Sequence, residues 1–152
     1  MAQFIKPLLY KPSMEKNYEI IDHTADIGIK VKGSDLGELF KNAALAVFQI
    51  SSRRQYTKDK KRTVISLKQE ALSPEELFVN WLNELLSLSA VKGLIFHDIK
   101  VKNIDPNHIE ALCVASSIEN YKVNIEIKAA TYHQLKIEHK QDYWQAEVIL
   151  DV

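Results

Sequence analysis

The spacing of apolar residues changes repeatedly along this chain, from alternation to helical spacing and back, and that change most limits the folds open to it. Ile27, Ile29 and Val31 alternate with Gly28, Lys30 and Lys32, the pattern of a half-buried strand. Leu36, Leu39, Phe40, Ala43, Ala44, Val47 and Phe48 then recur on one helical face, predicting a helix over 35–50. Asp35 can cap it, with Glu38 three positions on as in a capping box. A second helix start is written in Ser73-Pro74-Glu75-Glu76, with Ser as cap, Pro in the first turn and Glu at the third position. Leu77, Phe78, Trp81, Leu82, Leu85 and Leu86 make its apolar stripe, and Gly93 marks its end. Segments 63–67, 95–104, 108–116, 123–132, 135–139 and 144–150 read as strands, with turns at 105–107 and 140–142. Short connections favour antiparallel pairing. The expected class is α+β: mostly antiparallel sheet layers with two amphipathic helices packed on one face.

At 152 residues the chain suits a single domain over 18–152, preceded by an extended arm over 1–17. Lys6, Pro7, Lys11 and Pro12 break that arm, so it does not read as a secretory signal. Twenty basic and twenty acidic residues cancel, which gives nucleic acid or anionic membrane no global field to follow. A local patch stays open. Residues 51–62 (SSRRQYTKDKKR) are either a solvated loop or a contact surface for phosphate or an acidic partner. Cys113 lies in an apolar run and reads as a small buried hydrophobe. With no CxxC motif and no apolar run long enough to cross a bilayer, a cytoplasmic location is expected.

The candidate chemistry sits at strand ends. Asp22-His23-Thr24-Ala25-Asp26 precedes the strand of Ile27: a turn by composition, or a place where rigid backbone holds Asp26 near solvent. The final strand ends in Asp151 and Val152, whose carboxylate adds a second acid next to the first. If the last strand lies beside the first, Asp26 joins them. Asp26, Asp151 and Val152 then form a hard oxygen set suited to calcium or magnesium, whereas the histidines lack zinc spacing. Lys128 falls in an apolar alternation, either balancing those acids or lying on the wet face of a sheet. The scattered glycines build no phosphate-cradling loop.

In order along the chain, YEIIDHTADIGIKVKG, SDLGELFKNAALAVF, ELFVNWLNELLSL, IKAATYHQLKIE and WQAEVILDV resemble the archease family over 18–152. The resemblance implies the archease fold and an accessory protein, not an enzyme. It implies activation of the tRNA-splicing RNA ligase, which joins 3′-phosphate or 2′,3′-cyclic phosphate ends to 5′-hydroxyl ends. The accessory protein would promote guanylylation and multiple turnover of that ligase, meeting RNA only indirectly and no membrane. It also implies a divalent cation, calcium or magnesium, held by Asp26, Asp151 and Val152. Lys128, His23 and His133 stand as partner-contact or site-supporting residues. The segment 116–122 is shorter than in many relatives and offers only Tyr121-Lys122 where they carry a Lys-His pair. Two rival readings are a divalent-metal-dependent hydrolase, with only His23 and His133 as bases, and a chaperone-like interaction module.

Overall fold

A computed structural model describes residues 17–21 and 25–152, so nearly all of the expected arm, together with Asp22, His23 and Thr24, lies outside the described residues. In chain order the strands are β1 (Tyr18–Ile21), β2 (Ile27–Gly33), β3 (Ser52–Arg54), β4 (Thr63–Glu70), β5 (Leu94–Asp105), β6 (His108–Ser117), β7 (Tyr121–Val123), β8 (Ala129–Ala130), β9 (Lys136–His139) and β10 (Trp144–Asp151). Helix α1 (Leu36–Ser51) follows β2, and α2 (Pro74–Lys92) follows β4.

Both helices begin as their cap sequences demand. The Asp35 carboxylate accepts from the Glu38 N–H at 2.8 Å, and the Ser73 hydroxyl accepts from the Glu76 N–H at 3.1 Å. In each case the third-position glutamate reaches back one residue beyond the cap. Glu38 accepts from the Ser34 N–H at 2.7 Å and Glu76 from the Leu72 N–H at 2.8 Å. Four otherwise orphaned N–H groups are satisfied by this reciprocal device. Gly93 ends α2 at φ 63°, left-handed backbone that glycine adopts without a Cβ penalty.

The strands form a five-stranded sheet, β1-β2-β10 with β8 and β9 both paired to β10, a three-stranded sheet β4-β6-β5, and the short pair β3-β7. All these pairings are antiparallel. The α+β class expected from the spacing is what the chain adopts. Both helices touch both larger sheets: α1 lies against β2 and β5, and α2 against β5 and β8. Trp81 of α2 is fully buried and its indole N–H donates to the Phe40 carbonyl of α1 at 2.9 Å. Phe40 meets Phe78 edge-on with ring centroids 5.2 Å apart, so the helices are joined by aromatic packing and one buried hydrogen bond. Cys113 is buried on β6, and burial pushes its thiol up to about 12.

Two sequence expectations are corrected. Residues 123–132 are not one strand: β7 ends at Val123 and β8 starts only at Ala129. The N–H groups of Asn124 and Ile125 both donate to the Ser51 carbonyl, at 2.8 and 3.2 Å, which draws the chain from the β3-β7 pair toward the five-stranded sheet. Of the segment 51–62, Ser51 ends α1 and 52–54 form β3, whose backbone is paired with β7. Among the described residues no helix is long and apolar enough to cross a membrane.

Candidate functional site

Strand β10 is flanked by β2 on one side and by β8 and β9 on the other, so the end of β10 gathers residues from distant parts of the chain. Leu150 pairs with Ile27 of β2 and with Ala130 of β8, and Asp151 pairs with Ala129. Asp26 directly precedes Ile27 and Lys128 directly precedes Ala129, so both lie beside Asp151 at this end of the sheet. The Lys128 N–H donates to the Asp151 carbonyl at 2.8 Å, fixing that juxtaposition through backbone. Asp26 and Val152 are half-buried, while Asp151 and Lys128 are exposed. Leu150 and Ile127 are buried beneath this polar end. Apolar anchors beneath Asp26 and Asp151 give a fixed sheet end with access to water.

Two further groups hold β8 in place. The N–H and the hydroxyl of Thr131 both donate to the Ile149 carbonyl, at 3.0 and 2.9 Å. From α2, the Asn83 side chain accepts from the Ala130 N–H at 2.7 Å and donates to the Ala130 carbonyl at 3.2 Å. Its amide acts as a one-residue strand, completing the outer edge of β8. Nothing in the local sequence marks Asn83 for this role. It is a polar amide between Leu82 and Leu85, beside the apolar stripe, and its partner is 47 positions away.

Lys128 does not sit inside an apolar strand as the alternation suggested. It precedes β8, its side chain is exposed, and it makes no ion pair among the described residues. His133 lies on the turn after β8, where its N–H donates to the Thr131 hydroxyl at 3.3 Å. His23 lies outside the described residues.

Among the described residues no three His, Cys, Asp or Glu side chains converge as a metal-ligating group. A cation at the sheet end would draw on Asp26, Asp151 and main-chain oxygen, with water completing its shell. That all-oxygen, solvent-open set fits calcium or magnesium, which take carboxylate, carbonyl and water ligands, and does not fit zinc.

Residues 18–152 match the Archease protein family (MTH1598/TM1083). The protein archease of Methanosarcina barkeri is 39% identical over 147 residues, covering 92% of this chain and 99% of that protein. Its counterpart in Pyrococcus furiosus is 36% identical over 143 residues, covering 90% of this chain and 99% of its own. The solution structure of Methanobacterium thermoautotrophicum protein 1598 superimposes with a TM-score of 0.69 at 28% identity, over 90% of this chain and 99% of that one. A crystal structure described as an archease, possible chaperone, from Thermotoga maritima gives 0.63 at 26% identity, over 87% and 94%.

Proposed function

The chain belongs to the archease family, and from that premise we propose that it is a cation-binding accessory protein that activates a tRNA-splicing RNA ligase. The ligase joins 3′-phosphate or 2′,3′-cyclic phosphate ends to 5′-hydroxyl ends, and its activation consists in promoting its guanylylation and hence repeated turnover. The observation that carries this reading is the pairing of β10 with both β2 and β8, which brings Asp26, Asp151, Val152 and Lys128 to one solvent-facing sheet end.

Asp26, Asp151 and Val152 hold the cation in this proposal. When bound, calcium or magnesium supplies a compact positive charge to which phosphate oxygens of the partner's nucleotide site can be drawn. The chain's own residues do the rest. Asn83 and Thr131 keep β8 against β10, which sets the backbone at Asp151. Lys128 points its charge to solvent, where it meets acidic or phosphate groups of the ligase. His133, on the adjoining turn, lies within the same contact surface.

The accessory reading is preferred to a hydrolase because it is what the family resemblance implies, with His133 on the adjoining turn as the base that the rival reading would use. The Thermotoga maritima protein is described as a possible chaperone, and a chaperone-like role shares the accessory logic without requiring the cation at the contact. Incubating the protein alone with phosphodiesters, and separately with the ligase, its RNA ends and GTP, decides among these. Stimulated multiple-turnover joining that needs the ligase and is lost on chelation supports the proposal. Hydrolysis by the protein alone, or stimulation indifferent to chelation, contradicts it.

A further inference from the structure

A second region carries chemistry that the sheet end does not explain. A groove of about 530 Å³ opens between α1, the β3-β7 pair and the edge strand β5. Its floor is apolar: Leu45, Phe48, Ile95 and Phe96 line it, with the Phe48 and Phe96 rings 5.5 Å apart. Its rim is cationic, with Arg54, Lys60 and Arg62 along one side. None of these three makes a salt bridge among the described residues, and no carboxylate lines the groove. Arg54 is nevertheless ordered by a neutral partner. Its guanidinium lies 5.6 Å from the Tyr121 ring centroid and donates to the Tyr121 hydroxyl at 3.3 Å. The cation is held in place without being neutralised, so little side-chain entropy remains to be lost on capturing an anion. His97 and the buried Ser116, 2.9 Å apart, add neutral polar groups to the wall.

We propose that this groove binds a nucleotide unit, with Arg54, Lys60 and Arg62 on its phosphate and its base against the apolar side, where the half-buried Leu45 is open to it and Phe48, Ile95 and Phe96 are buried. The volume lies within the usual 300–1,000 Å³ of small-ligand sites. An apolar floor beside an unneutralised cationic rim matches a molecule with a flat apolar face and an anionic end, whereas inorganic phosphate uses only the rim. Burial, then Arg62 and Arg54, hold the pKa of His97 below its ordinary value against an opposing pull from Asp98. The unit arrives as a free nucleotide or as part of a single RNA strand; the chemistry is shared. The groove is lined by none of the residues of the acidic sheet end and stands independently of the cation reading.

The test is a set of calorimetric titrations of the full chain with AMP, with a short oligouridylate and with inorganic phosphate. We expect saturable binding of AMP or the oligonucleotide, tighter than that of phosphate. Arg54→Ala combined with Arg62→Ala should weaken it by at least about tenfold, the worth of one charge-assisted hydrogen bond. Lys60→Glu with Arg62→Glu, which touches no strand pairing at either position, should do the same and guards against a folding defect at β3. Lys136→Ala on β9 should bind as the parent does. Binding of AMP alone assigns the groove to free nucleotide; tighter binding of the oligonucleotide assigns it to RNA. No saturable binding of either, equal affinity for phosphate, or rim variants that bind like the parent overturns the proposal.

Discussion

The end of the five-stranded sheet and the groove beside β3 carry opposite charge, and they are held in opposite ways. At the sheet end, Asp26 and Asp151 stand at the ends of strands whose pairing runs through buried Leu150, so backbone hydrogen bonds set the spacing of the acids. In the groove, Arg54, Lys60 and Arg62 come from a short edge strand and the loop after it, and a tyrosine ring steadies only the first. One site is rigid in its backbone, the other ordered chiefly through a side chain. The lesson concerns net charge. Twenty acids cancel twenty bases in the sum, yet the folded chain gathers two aspartates at the sheet end and three bases at the groove.

The largest effect should come from a change that removes the frame both regions share. Trp81 ties α2 to α1; α1 lines the groove through Phe48, and α2 holds β8 through Asn83. Trp81→Ala should cost about 3–5 kcal/mol in chemical denaturation and weaken both sites together. A loss confined to one region would show that the two do not depend on a common core.

Asn83→Ala should break the comparison on one side only. It leaves the N–H and carbonyl of Ala130 without their partners, at a cost of about 1–3 kcal/mol. Cation affinity at the sheet end should fall by roughly 10–100-fold, as for other residues that orient a ligand from behind. The groove should be untouched, and paired titrations on the one variant read both.

The sequence made some of this legible and hid the rest for identifiable reasons. Both helix starts, the Gly93 stop and the burial of Trp81 followed from spacing and cap chemistry, which act within a few residues. Asp26 and Asp151 were legible as a pair because each adjoins a clear strand. The break between β7 and β8 was not. Val123, Ile125 and Ile127 alternate with Asn124, Glu126 and Lys128, so the period of a strand continues through residues that cross from one sheet to another. Asn83 was hidden because its role belongs to a contact between α2 and β8 that no local pattern encodes. The basic run 51–62 reads as either loop or contact surface, and only the pairing of β3 with β7 sets Arg54 beside Tyr121 at the groove.

Lys128→Ala should be nearly silent in stability, within about 0.5 kcal/mol, since the side chain is exposed and its backbone bond to Asp151 survives. Cation affinity should stay the same or rise slightly, because a nearby positive charge has gone. Ligase stimulation should fall, and parallel titration and turnover assays separate those outcomes. Unchanged stimulation would remove Lys128 from the contact surface.

The smallest effect sharpens the groove side. Burial, then Arg62 and Arg54, lower the pKa of His97 from its ordinary 6.5, against a weaker raising pull from Asp98. The folded protein therefore holds that proton less well than the unfolded chain. The stability this residue permits is complete above 6.5 and declines as pH falls through that value. Melting at about pH 7.5 and about pH 5.5 should show a drop that is smaller in His97→Gln than in the parent. An equal drop in both would mean that other groups alone set the acid limb.

The cation claim rests most directly on Asp26, which sits at the mouth of β2 and packs little of the core. Calcium and magnesium should be titrated calorimetrically into the parent and into Asp26→Ala, with melting followed on the same samples. The account predicts one saturable site in the parent, no specific binding in Asp26→Ala and closely similar melting of the two. Parental affinity in a folded Asp26→Ala would contradict it.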